Sequence, residues 1–128
     1  RFLSQRWLMP KYRNAPTYVD DIRFASKAEA ERYIQLKQMQ TAGEIHNLEL
    51  QPKYPVAVNG NKICTYVADF RYIDKSAVGR EGQAGCTIVE DVKGVLTPIY
   101  RLKKKLVEAV YPGVKIEEIK ITKRQYVK

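Results

Sequence analysis

The pattern of apolar residues along this chain predicts a mixed α/β domain with a small central sheet flanked by helices. Three observations lead there. Helix-like and strand-like segments follow one another in the order helix, strand, strand, strand, helix, strand, and such an order packs helices onto a sheet. The chain has 128 residues, enough for one hydrophobic core and too few for two secure ones. Hydrophobic residues make up 45% and charged residues 29%, the balance of a folded domain rather than a disordered segment.

Each element has a local cause. Residues 1–24 are basic and irregular, with Trp7, Pro10, Tyr12 and Pro16, and read as an N-terminal arm or short edge strand ahead of a single domain over 25–128. Ser26 and Glu29 have the spacing of a capping box, good helix formers follow to Ala42, and Gly43 is a natural stop. An extended segment over 45–58 is broken by Pro52 and Pro55, and Asn59-Gly60 signals a hairpin turn. Residues 62–73, rich in Ile, Thr, Tyr, Val and Phe, read as one strand. Gly79, Gly82 and Gly85 recur in a polar stretch that reads as a hairpin connection rather than a phosphate cradle. A strand over 86–93 ends at Gly94. Pro98 opens a second helix to about Val110, closed by Tyr111-Pro112-Gly113, and 115–122 reads as a last strand. In the second helix Leu102, Leu106 and Val110 share a stripe and are expected in the core.

Composition narrows the chemistry. No apolar run approaches the roughly 18 residues of a membrane span. One histidine and two separated cysteines supply neither a common four-ligand zinc site nor a histidine-based triad. The cysteines fit a reducing compartment, and 1–8 lacks the cleavage site of a signal peptide, so a cytoplasmic location is expected. The formal charge is +9, unevenly spread: 5 basic and 2 acidic residues in 1–24, 9 and 9 in 25–100, 9 and 3 in 101–128. Basic ends around a central set of carboxylates suit a metal-dependent enzyme acting on a polyanion, with a solvated basic face as the competing reading.

Three segments carry carboxylates in unusual places. In Ile88-Val89-Glu90-Asp91-Val92-Lys93-Gly94, strand alternation puts Val89, Asp91 and Lys93 on one face and Glu90 and Val92 on the other. An acid and a lysine near the end of an apolar strand are either a surface ion pair or a site. Asp69 interrupts a run of strand formers, a position open to a solvent-facing or a functional reading. Glu29 is explained by the capping box, yet shares a helix stripe with Tyr33 and Leu36 and so belongs at the core margin. Together Glu29, Asp69, Asp91 and Lys93 offer oxygen donors suited to Mg²⁺ or Mn²⁺ and an ammonium able to stabilise charge on phosphorus.

With four stretches taken together, the chain resembles the PD-(D/E)XK nucleases, and within them short phage and prophage proteins related to archaeal-type Holliday junction resolvases. The stretches are Lys11-Tyr12-Arg13-Asn14, Phe24-Ala25-Ser26-Lys27-Ala28-Glu29-Ala30, Leu48-Glu49-Leu50-Gln51-Pro52, and Tyr66-Val67-Ala68-Asp69-Phe70 with Val89-Glu90-Asp91-Val92-Lys93-Gly94. Alanine stands at 68, where the family name has proline. The resemblance implies a restriction-endonuclease-like αβββαβ core. It makes Glu29 the helix acid, Asp69 and Asp91 the metal ligands, Lys93 the catalytic lysine and Gln51 a supporting residue. It implies Mg²⁺, with Mn²⁺ able to substitute, and hydrolysis of DNA phosphodiesters, with four-way junctions as the leading substrate and ends, nicks or flaps as the alternative. It also implies a homodimer in a phage or prophage setting. Lys11, Arg13, Arg71, Tyr100, Arg101, Lys103 and Lys104 are the expected nucleic-acid contacts. A basic binding module with the same fold and no activity is the competing class.

Overall fold

A computed structural model describes residues 16–78 and 84–120. The chain opens with β1 (Thr17–Val19) and β2 (Ile22–Phe24), an antiparallel hairpin. Helix α1 (Lys27–Thr41) follows, with Ser26 as N-cap accepting from the Glu29 N–H at 3.2 Å. Gly43 closes it at φ +84°, a left-handed conformation that glycine adopts without penalty. Next come β3 (Ile45–Leu50), β4 (Lys53–Val58), β5 (Asn61–Val67), β6 (Phe70–Val78) and β7 (Ala84–Val92), then α2 (Pro98–Val110) and β8 (Ile116–Ile119). Asn59 and Gly60 both have positive φ, as a two-residue β4–β5 turn requires.

The central sheet has the order β3-β6-β7-β8, antiparallel except for the parallel β7–β8 pair. Its elements occur in the chain as helix, three strands, helix, strand, with the β4–β5 hairpin inserted after the first strand. Alternation along the strands makes two cores. On one face α1 and the β1–β2 hairpin bury Phe24, Tyr33, Leu36, Ile45, Phe70 and Tyr72. On the other, α2 and the β4–β5 hairpin bury Tyr54, Val56, Tyr66, Val89, Tyr100, Val107 and Ile116.

The structure revises four expectations. The single strand over 62–73 is two strands, because the chain changes partner at Ala68 and Asp69. The Ala68 N–H donates to Pro52 O at 3.0 Å, and the Asp69 N–H to Glu90 O at 3.1 Å. The extended segment over 45–58 breaks at Gln51 and Pro52, while Pro55 sits inside β4, where a two-stranded ribbon tolerates a missing donor. Residues 17–24 are folded onto α1, with Phe24 buried against the Tyr33 ring at 5.0 Å between centroids, so the packed domain includes this part of the expected arm. Residues 1–15, with Lys11 and Arg13, lie outside the described residues, as do Gly79 and Gly82 and the end of the last predicted strand.

The fourth revision concerns α2. Leu102 is 59% exposed and Val110 40% exposed, while Tyr100 and Val107 are the buried pair and Leu106 is half-buried. The helix is turned away from its apolar stripe because it packs into a corner between the sheet and the β4–β5 hairpin, where the Tyr100 ring fills the space beside Tyr66. Urea unfolding checks this orientation. Leu36→Ala, which empties a fully buried site, is expected to cost about 2–5 kcal/mol, and Leu102→Ala less than about 0.5 kcal/mol; the sequence stripe alone would have made the two alike.

Candidate active site

The site lies at the end of the central sheet where β6 begins and β7 ends. Asp69 occupies the partner-switching junction, Asp91 lies at the end of β7, and Lys93 directly follows its last residue. The first turn of α1 reaches this edge from one face and the first turn of α2 from the other. The result is an open cleft of about 360 Å³ that Glu29, Tyr66, Asp69, Asp91, Lys93 and Lys103 line. Two helix N-termini at one cleft favour negative charge there. The structure therefore brings together all four residues of the predicted carboxylate–lysine set.

Each group is held by identifiable partners. The Asp69 carboxylate accepts the Val92 N–H at 2.7 Å, which ties the start of β6 to the end of β7. Asp91, 3% exposed, accepts a hydrogen bond from the Tyr66 hydroxyl at one oxygen and faces the Lys93 Nζ at 3.3 Å from the other. Lys93 also stands 4.2 Å above the centre of the Tyr100 ring, a cation–π contact, and its backbone N–H donates to Ile119 O at 3.0 Å. Its charge is thus fixed beside Asp91 by two walls. Glu29 keeps its capping role, accepting a long 3.4 Å bond from the Ser26 hydroxyl, while its carboxylate faces the cleft. Glu29 lies at the core margin as expected, while the capping box forms in its Ser26 half, the Glu29 carboxylate bonding the Ser26 hydroxyl rather than the Ser26 N–H.

Strand alternation resolves Glu90 as expected. Glu90 points to the opposite face of β7, where Arg32 grips it from Nε at 2.8 Å and Nη2 at 2.6 Å and the Tyr72 hydroxyl also donates to it. Gln51, at φ +52°, donates its N–H to Asp69 O at 2.9 Å and lines a smaller cavity, of about 120 Å³, that adjoins Glu29 and Asp69.

The electrostatics are those of crowded acids. Burial pushes the Asp69 carboxyl up to about 7, against the Val92 hydrogen bond, and the neighbouring Glu29 and Asp91 carboxylates push the same way. Burial likewise raises Glu29, with Asp91 adding to it. Burial and the bond to Asp91 hold the Tyr66 phenol far above its usual range. A divalent cation is the natural relief for such a cluster. Among the described residues no three His, Cys, Asp or Glu side chains form a ready-made metal cage. Mg²⁺ does not need one, since it is commonly held through one or two carboxylates, with water and substrate phosphate completing its octahedron. Asp69 and Asp91 fit that requirement, with Glu29 facing them.

The expected nucleic-acid contacts divide. Lys103 lines the cleft. Tyr100 lines it too, but it is 5% exposed, and its hydroxyl donates to Glu118 at 3.0 Å, so it supports Lys93 rather than presenting a free phenol to phosphate. Lys104 pairs with Glu108 at 3.6 Å, and Arg101 is exposed on the outer side of α2. Arg71 is not brought to the cleft: it forms a two-pronged pair with Glu49 and lies 5.6 Å from the Tyr54 ring centre, in a separate cavity of about 430 Å³. Sequence reasoning missed Tyr66 and Arg32. Their partners are 25 and 58 residues away, and no local spacing marks them.

The molecule is thus an α/β domain with an open carboxylate–lysine cleft at the sheet end. The chain belongs to the family described as a protein of unknown function (DUF1064), whose model matches residues 9–126. No curated protein and no solved structure matches it. Among the described residues no helix is long and apolar enough to cross a membrane.

The raised Asp69 carboxyl gives a pH prediction for metal-free protein. The folded state holds this proton up to about pH 7, whereas the unfolded chain releases it near pH 4. The stabilisation from that proton is complete below about pH 4 and is lost as pH rises through about 7. In EDTA, Asp69→Asn is expected to melt a few degrees above the parent at pH 8, and the gap should close toward pH 4. Thermal unfolding at several pH values measures it; an equal gap at every pH would contradict the assignment.

Proposed function

We propose that this chain is a divalent-metal-dependent endonuclease that hydrolyses DNA phosphodiesters, selecting its substrate by DNA shape. The observation that carries the reading is the convergence of Asp69, Asp91 and Lys93, with Glu29, in one cleft walled by Lys103. The resemblance to PD-(D/E)XK nucleases supports the same four roles. A four-way junction is the leading substrate. Recognition of deformed or branched DNA requires no sequence-reading module.

Asp69 and Asp91 would hold the cation, with Glu29 beside them. Bound there, Mg²⁺ supplies a lowered pKa for water and neutralises charge on the scissile phosphate. The chain's own residues do the rest. Lys93, held between Asp91 and the Tyr100 ring, directs an ammonium at the oxygens where negative charge grows as water adds to phosphorus and the P–O ester bond breaks. Tyr66 holds Asp91 in orientation through its hydroxyl without neutralising it. Lys103 has no ion pair among the described residues and is placed to meet a backbone phosphate next to the reacting one.

The test is a cleavage assay with Mg²⁺ and, separately, Mn²⁺, on a four-way junction, linear duplex and single strand. Metal-dependent paired cuts confined to the junction are expected, and paired cuts imply two copies at work. Lys93→Ala and Asp91→Asn are each expected to lower the rate at least about 100-fold with DNA binding retained. Cuts spread over linear DNA would replace the junction with ends or flaps. Absence of cutting on every substrate would leave a basic binding module. Lys103→Ala should weaken binding and reduce the slope of log affinity against log salt by about 0.9, whereas Lys104→Ala should change it less.

A further inference from the structure

Glu90 is only 1% exposed, yet it is ionisable and stands directly behind Asp91 in β7. Both its oxygens are engaged. Arg32 Nε donates to one at 2.8 Å and Nη2 to the other at 2.6 Å, and the Tyr72 hydroxyl donates to the second. Arg32 is held in turn by Gln35, which accepts from its Nη1 at 2.9 Å. The backbone of Glu90 is engaged as well, since its carbonyl accepts the Asp69 N–H at 3.1 Å. Arg32 lies one turn along α1 from Glu29. One residue therefore touches every element that carries a site carboxylate: α1 through its side chain, the Asp69 junction through its carbonyl, and Asp91 through the next peptide bond.

Stability alone does not account for this arrangement. Buried ion pairs are commonly matched or bettered by apolar residues of similar volume. A planar fork differs from an apolar contact in fixing both distance and rotation. We propose that Arg32 and Glu90 are positioning residues of the cation site: their fork sets the rotation of α1 on β7 and so aims Glu29 at Asp69 and Asp91. This rests on the metal-dependent reading above. It predicts that the pair governs cation affinity, although neither side chain faces the cleft.

The experiment titrates metal-free protein with Mn²⁺, following free ion by electron paramagnetic resonance, beside thermal unfolding of the same samples. The variants are Arg32→Lys, which keeps the charge and loses the fork, and the double variant Arg32→Met with Glu90→Met, which removes both charges together. The double variant is expected to melt at or near the parent temperature and to bind Mn²⁺ about 10-fold more weakly or worse. Arg32→Lys should shift affinity in the same direction. Should the double variant not fold, Arg32→Lys and Tyr72→Phe carry the test. Folded variants that bind Mn²⁺ as tightly as the parent would overturn the positioning role while leaving the metal reading intact. A parent that binds no Mn²⁺, or binds it unchanged in Asp91→Asn, would overturn the metal reading itself and this inference with it.

Discussion

Successive side chains of a strand leave opposite faces of a sheet, so β7 cannot send Glu90 and Asp91 to the same place. Much of the site follows from that constraint. Asp91 joins Val89 and Lys93 on the α2 face, beside Tyr66 and Tyr100. Glu90 joins Val92 on the α1 face and is gripped by Arg32. The two helices are thus tied to consecutive residues from opposite sides. Asp69 completes the frame because β6 starts where the chain leaves the β4–β5 hairpin, with its carboxylate on the Val92 N–H and its own N–H on Glu90 O.

Four tyrosines of this protein donate to carboxylates, and the two buried acids, Asp91 and Glu90, are among their partners. Tyr66 donates to Asp91, Tyr72 to Glu90, Tyr100 to Glu118 and Tyr33 to Asp20. A phenol satisfies one carboxylate lone pair and leaves the negative charge in place. In each of these tyrosines burial and the acid together raise the phenol pKa, so the proton stays on oxygen and the bond persists at neutral pH. At Asp91 the phenol engages one carboxylate oxygen while Lys93 faces the other. At Glu90 an arginine is added, whose fork takes both carboxylate oxygens.

Much of the fold was legible in the sequence because its signals are local. The Ser26 cap, the Gly43 stop, the Asn59-Gly60 turn and the Pro98 start each act within a few residues, and each appears where expected. The carboxylate set was legible because period-two alternation assigns Asp91 and Lys93 to one face and because Asp69 stands out in an apolar run. The remainder depends on distant partners. The break at Ala68 and Asp69 comes from a change of hydrogen-bonding neighbour, which no propensity encodes. The turning of α2 comes from the Tyr100 ring filling a corner made by β5 and β7, which overrides its Leu102 and Val110 stripe. Arg71, a basic residue on a strand, reads in sequence as a phosphate contact, but in the fold it pairs with Glu49 across the β3–β6 ladder.

The role proposed for Asp69 and Asp91 is to hold a divalent cation. Anomalous diffraction from crystals of this protein grown in Mn²⁺ tests it most directly, because it reports position rather than activity. A strong peak is expected within coordination distance of both carboxylates, on the side that faces Lys103. A saturating Mn²⁺ concentration that leaves these two carboxylates without a peak, or places the ion on other residues, would contradict it.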